Sequence, residues 1–154
     1  MSPRIRTISM TLPFNVTRVN CYVLEVEGGC LLIDTGSANG RAVLEIALAS
    51  AGCGPGRLKL IVLTHGDFDH TGNAAYLRHK LAAAIAMHAD DAGVGEHGDM
   101  FWNRKTPNAV IERLIPLFFG LGQSDGFTPD LLVEDGRGPS TPVCKALASA
   151  PACP

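Results

Sequence analysis

Four side chains able to bind a metal ion fall within six residues of this chain: His65, Asp67, Asp69 and His70, in the run Thr64-His-Gly-Asp-Phe-Asp-His-Thr-Gly-Asn73. Imidazole and carboxylate together suit Zn, Fe or Mn, and the oxygen donors tilt the choice away from copper. In an extended or turning backbone His65, Asp67 and Asp69 point one way while His70 swings aside. One loop then serves two adjacent sub-sites. The ordinary alternative is a polar turn whose aspartates cap the next helix, and a single Asp/His pair would mean no more than that. Four such residues, preceded by an apolar strand and followed by Thr-Gly, point to a metal.

Such a loop has to be held by rigid elements. Residues 58–64 are a nearly continuous apolar run, as in a strand covered on both faces. The C-terminal edge of such a strand is where open α/β sheets place their sites. Upstream, residues 4–12 alternate as a first strand and residues 19–26 form a second. Gly28-Gly29 is then a hairpin turn into Cys30-Leu-Leu-Ile-Asp34. Residues 40–51 carry Ala42, Val43, Ile46, Ala47 and Ala51 as a helical stripe, with Gly52 as the stop.

Downstream, a short helix from Asn73 to Leu81 precedes a buried strand at Ala83–His88. Thr106-Pro107 opens a helix expected to reach Phe119, with threonine as N-cap and proline at the first helical position. Residues 131–134 read as one more short strand. A meander followed by strands alternating with helices predicts an α/β layered fold.

The 154 residues fit one domain. They are 46% hydrophobic and 18% charged, enough apolar content for a core and too much for a disordered chain. A formal charge of −2 and a pI near 6.2 give no basic surplus for nucleic acid or an anionic membrane. No apolar stretch is long enough to span a bilayer, and Met1–Arg6 holds no apolar leader.

The five cysteines are odd in number and form no Cys-x-x-Cys pair, so no disulfide framework is expected. Cys21 and Cys30 sit in apolar runs and read as buried free thiols, which makes a reducing cytoplasm the default localisation. Residues 137–154 hold four of the ten prolines and two of the five cysteines without periodicity. They are expected to be an irregular tail, abrupt enough to suggest a change of reading frame.

The sequence resembles the N-terminal part of a metallo-β-lactamase-fold hydrolase, whose hallmark is a His-x-His-x-Asp-His loop after a buried strand. Leu31-Leu-Ile-Asp34-Thr-Gly36 matches the family's earlier motif, an aspartate that ends a strand before Thr-Gly. The match runs over residues 5–135. It implies an αββα sandwich of which only the N-terminal αβ half is complete, with a metallo-β-lactamase-like domain at 1–136 and the tail at 137–154.

The resemblance further implies that His65 is a ligand of a first metal, and that Asp69 and His70 are ligands of a second. Asp69 is also the implied catalytic base that orients the attacking water. Asp34 would be a buried carboxylate that orients the site without ligating. Zn2+ is the implied cofactor, as one or two ions, with Fe or Mn as alternatives. The implied reaction is attack of a metal-activated water on an ester, thioester, amide or phosphodiester of a small-molecule substrate.

Two departures from the family pattern matter. Asp67 stands where the family has its second histidine; a carboxylate still ligates, but it hardens the site. The family's later ligands (a third histidine, a bridging aspartate and a last histidine) have no counterpart, since His97 is the only histidine after Asp91. Weak or single metal binding and impaired catalysis are therefore expected. An inactive truncated fragment and a metal-binding interaction module are the alternative readings. Half a sandwich leaves a sheet face that a missing half or a second copy, as a homo-oligomer, is expected to cover.

Other features read as incidental. His88 is an ordinary strand-end residue that could face the site mouth, His79 is solvated, and His97 lies in a polar loop. Phe101-Trp102 suits local packing better than a pocket wall. Leu31–Ser37 also resembles an aspartic-protease signature, but that chemistry needs two such aspartates sharing a proton, and one copy is present.

Overall fold

The computed structural model describes residues 4–12, 17–98, 102 and 125–134. β1 (Arg4–Thr11), β2 (Arg18–Val26) and β3 (Gly29–Ile33) form an antiparallel meander. β4 (Leu58–Val62), β5 (Ala84–His88) and β6 (Leu131–Val133) continue the sheet in parallel, in the order β1-β2-β3-β4-β5-β6. The change of sense follows from the connections: a two-residue turn allows only an antiparallel return, whereas parallel neighbours need a crossover. α1 (Arg41–Ser50) supplies the crossover between β3 and β4. α2 (Phe68–Thr71) and α3 (Ala74–Leu81) supply the next. α4 (Ala92–His97) follows β5 through a short 3-10 turn. This is the layered α/β architecture expected from the sequence.

One sheet face is packed under α1 and α3. Leu32, Ile61 and Ile85 are cross-strand neighbours on that face and are fully buried with Leu44 of α1 and Leu77 of α3. Burial of each such side chain contributes roughly 1.5–3 kcal/mol. The helical stripe expected at 40–51 needs correction. Leu44 and Leu48 carry the buried face, with Ala47 and Ala51 packed beside them, while Val43 is 51% and Ile46 72% exposed. The error was one of phase: the two leucines lie one turn apart at i, i+4 and outweigh the smaller side chains that the stripe was drawn through.

The cysteine expectation also fails in part. Cys30, at the start of β3, is disulfide-bonded to Cys53, in the turn after α1. The sequence shows no pattern because the partners meet only when α1 folds back over the sheet. Cys21 is the buried free thiol it was read to be, its pKa pushed up to about 12 first by burial and then by the Asp34 charge.

The opposite sheet face carries Ile5, Tyr22, Leu24, Leu31, Ile33 and Val62, half-buried to exposed. The expected helix at 106–119 and the tail at 137–154 lie outside the described residues. No helix among the described residues is long and apolar enough to cross a membrane.

Candidate metal centre

The site forms where β3 and β4 end side by side. The N–H of Asp34 still donates to Val62 O across the strand pair, at 2.9 Å. The backbone then turns sharply, with Asp34 in the left-handed region at φ 57°, a conformation that aspartate tolerates better than most residues. This turn sends its carboxylate under the end of β4. There it accepts from the Thr64 N–H (2.9 Å), the Thr64 hydroxyl (2.8 Å) and His70 Nδ1 (2.9 Å). Asp34 is only 4% exposed. Burial alone would raise its pKa, but the hydrogen bonds from His70 and Thr64 together outweigh it and hold the carboxyl below the usual range. Asp34 is therefore ionised.

Two proton positions follow from that charge. An ionised carboxylate only accepts, so the hydrogen between Asp34 and His70 sits on Nδ1 of His70. Its Nε2 lies 3.7 Å from Asp69 Oδ2. The hydrogen bond to Asp34 is also the main cause of the raised pKa of His70. Thr64 spends its one hydroxyl hydrogen on Asp34, so its 2.9 Å contact with His65 Nδ1 is accepted by Thr64 and donated by the imidazole. His65, like His70, thus has its Nδ1 engaged in this network.

One ligand atom from each of His65, Asp69 and His70 lies within 4.8 Å of the others, and all three side chains are half-buried. The imidazole rings of His65 and His70 are 4.0 Å apart. Two imidazoles and one carboxylate suit a single divalent ion with coordination positions left open. Asp67 stands beside this group, its Oδ2 3.5 Å from His65 Nε2. Its backbone carbonyl accepts from the N–H groups of His70 and Thr71, which fixes the first turn of α2.

Close packing holds the loops around these residues. A Cβ on Gly72 would lie 2.6 Å from the backbone nitrogen of Ala38 and 2.9 Å from the carbonyl of Gly36, so only glycine fits. Thr35 is fully buried, and both its N–H and its hydroxyl donate to the carbonyl of His70, each at 2.8 Å. Thr35, Thr64 and Asn73 were not singled out from the sequence. Their only signal was adjacency to Asp34 and to the ligand run.

The remaining histidines stay outside the cluster. His88 Nδ1 accepts from the N–H of Asp90, and His79 is exposed on α3. His97 stacks on Trp102 at 3.7 Å, which is local packing. A cavity of ≈ 370 Å³ between α1 and α3 is lined by Leu48, Cys53, Pro55 and Leu77 among others, and by none of the clustered residues.

The family model for the metallo-beta-lactamase superfamily matches residues 14–144. The chain belongs to the metallo-beta-lactamase superfamily. A 49-residue segment is 47% identical to human "Metallo-beta-lactamase domain-containing protein 1", covering 32% of this chain and 18% of that protein. Among solved structures, the fold is similar to native FEZ-1 metallo-beta-lactamase from Legionella gormanii (TM-score 0.65, 14% identity). It is also similar to BJP-1, a subclass B3 metallo-beta-lactamase of Bradyrhizobium japonicum (TM-score 0.63, 19% identity). Each comparison covers 89% of this chain, but only 48% and 47% of the respective lactamase. This member of the superfamily therefore spans about half the length of those metallo-beta-lactamases.

Proposed function

We propose that this chain is a metal-dependent hydrolase of the metallo-beta-lactamase superfamily, with its ion held by His65, Asp69 and His70 and with Asp67 as a further donor. The observation that carries the reading is the convergence of the three ligand atoms within 4.8 Å, over a buried carboxylate that fixes one imidazole. The donor set fits zinc first, with Fe or Mn favoured to the extent that Asp67 joins. A bound ion would supply Lewis acidity, polarising a substrate oxygen and lowering the pKa of a water.

The chain's own residues do the rest. Asp34 holds the His70 Nδ1 proton and thereby keeps Nε2 available as a donor. Asp69 offers a carboxylate oxygen to take the proton of an attacking water. The substrate is a small-molecule ester, thioester, amide or phosphodiester. Selectivity among these lies in loops that the site residues do not specify.

A second reading is favoured by the donor set among the described residues, three clustered side chains. With three clustered donors and Asp67 beside them, the chain would bind one ion weakly and turn over poorly. It would then be an inactive fragment or a metal-binding module, with a second copy covering the partly exposed sheet face. The Cys30–Cys53 disulfide fits an oxidising compartment better than the cytoplasm that the cysteine count suggested. Chelator-sensitive hydrolysis of generic thioester and phosphodiester substrates separates the readings: turnover abolished by chelator and restored by zinc supports the hydrolase. Stoichiometric metal without turnover supports the module.

A further inference from the structure

We propose that Asn73 is a positioning residue for the metal centre, clamping the turn that carries Asp34 to the turn that carries His70; this rests on the metal reading above. Asn73 is fully buried, and every hydrogen-bonding group it owns is used. Its N–H donates to Thr35 Oγ1 at 3.1 Å. Its side-chain Nδ2 donates both hydrogens, to Thr35 O at 2.8 Å and to Ser37 O at 2.9 Å. Its backbone carbonyl accepts from Leu77 N in the first turn of α3. Its Oδ1 accepts from Arg41 Nε at 3.0 Å.

The last of these bonds decides the orientation of the amide. Arg41 has no acceptor, so it selects the oxygen of Asn73 and leaves Nδ2 facing the two carbonyls. Arg41 is itself held over the Tyr76 ring, 4.1 Å from the centroid. Without Nδ2 the carbonyl of buried Thr35 would lose its donor, while that of Ser37 would keep only the N–H of Gly40.

The consequence reaches the site through Thr35. Asn73 fixes Thr35 from two sides, and Thr35 in turn donates twice to the carbonyl of His70. Asp34 precedes Thr35, and its carboxylate holds His70 Nδ1. His70 is therefore gripped at its backbone and at its ring by two consecutive residues, and Asn73 sets the position of both. The fold could be closed by apolar packing alone at this point; a side chain with all its polar groups satisfied specifies one arrangement of the two turns.

The test uses two readouts on the full chain. In the metal-free protein, the imidazole 15N shifts of His70 report whether one tautomer, Nδ1–H, is fixed. With added cobalt(II), the visible absorption and a chelator competition report affinity and ligand geometry. Asn73→Ala is expected to weaken cobalt binding about 10- to 100-fold, the loss typical of residues that orient ligands, and to blur the His70 tautomer signal. Leu48→Ala, a core change of the kind that lowers stability without touching the turns, is expected to leave both readouts unchanged. If Asn73→Ala does not fold, Arg41→Met decides, since it frees the amide without disturbing the core; it is expected to weaken cobalt binding by a smaller factor. Cobalt affinity within twofold of the parent, with an unaltered His70 signal, overturns the proposal in either variant. A parent protein that binds no cobalt refutes the metal reading instead, and the tautomer comparison still tests the clamp.

Discussion

Nδ1 of His70 and Oδ2 of Asp34 lie 2.9 Å apart across 36 positions of sequence. That one bond joins the two motifs of the chain, the strand-ending aspartate and the ligand-bearing turn. It fixes a proton on the side of the imidazole away from the cluster. The ring of His70, a proposed ligand, is thus oriented by a carboxylate that lies outside the cluster.

Replacing Asp34 should therefore damage both the fold and the site. Asp34→Ala leaves the Thr64 N–H and His70 Nδ1–H without their buried acceptor, a loss of about 2–4 kcal/mol. Urea denaturation of the metal-free protein measures it. Metal affinity should fall by roughly 10- to 100-fold in the same variant, and equilibrium dialysis against zinc checks that number.

The same pair gives the metal-free protein a defined pH dependence. The pKa of Asp34 is lowered from 3.8, so its contribution is present above that value and is lost as pH falls through the depressed pKa. The pKa of His70 is raised from 6.5, so its contribution is present below that value and is lost as pH rises through the elevated pKa. Stability from the pair should peak between 3.8 and 6.5. Thermal melts across pH, with Asp34→Ala as the reference, should show the parent's advantage shrinking on both sides of that window.

The Cys30–Cys53 disulfide closes a sequence separation of 23 residues around α1. Loop entropy for a closure of that length is worth about 3 kcal/mol. The double variant Cys30→Ala/Cys53→Ala should lose stability of that order. Reducing agent should lower the melting temperature of the parent and leave the double variant unmoved.

Gly72 should tolerate no side chain. Gly72→Ala forces apart the backbones of two turns, not a flexible side-chain tip, and should cost about 2–4 kcal/mol. Zinc binding and thermal stability should fall together, in contrast to a surface change such as Ile46→Ala, expected within about 0.5 kcal/mol.

Much of this organisation was legible in the sequence because local chemistry writes it. The alternation in β1 and β2, the apolar run of β4 and the ligand density after Thr64 each follow from a few neighbouring residues. What was illegible depends on residues distant in sequence. Cys30 meets Cys53 only through the path of α1. Val43 and Ile46 looked as apolar as Leu44 and Leu48, and only packing against the sheet decides which pair is buried. Thr35 and Asn73 look like ordinary turn residues until the two turns are placed together; their partners lie 35 to 38 positions away. Asp67, a candidate ligand on spacing, stands beside the three clustered residues, at the N-cap position of α2, while Asp69 and His70 lie within that helix.

The proposed function requires that His65, Asp69 and His70 hold one divalent ion. Elemental analysis after gentle purification and dialysis against micromolar zinc, on the parent and on the His65→Ala/His70→Ala double variant, tests it most directly. One ion per parent chain and none on the variant is expected, with both proteins folded by circular dichroism. A folded parent without bound metal, or a variant that retains it, would refute the proposed site.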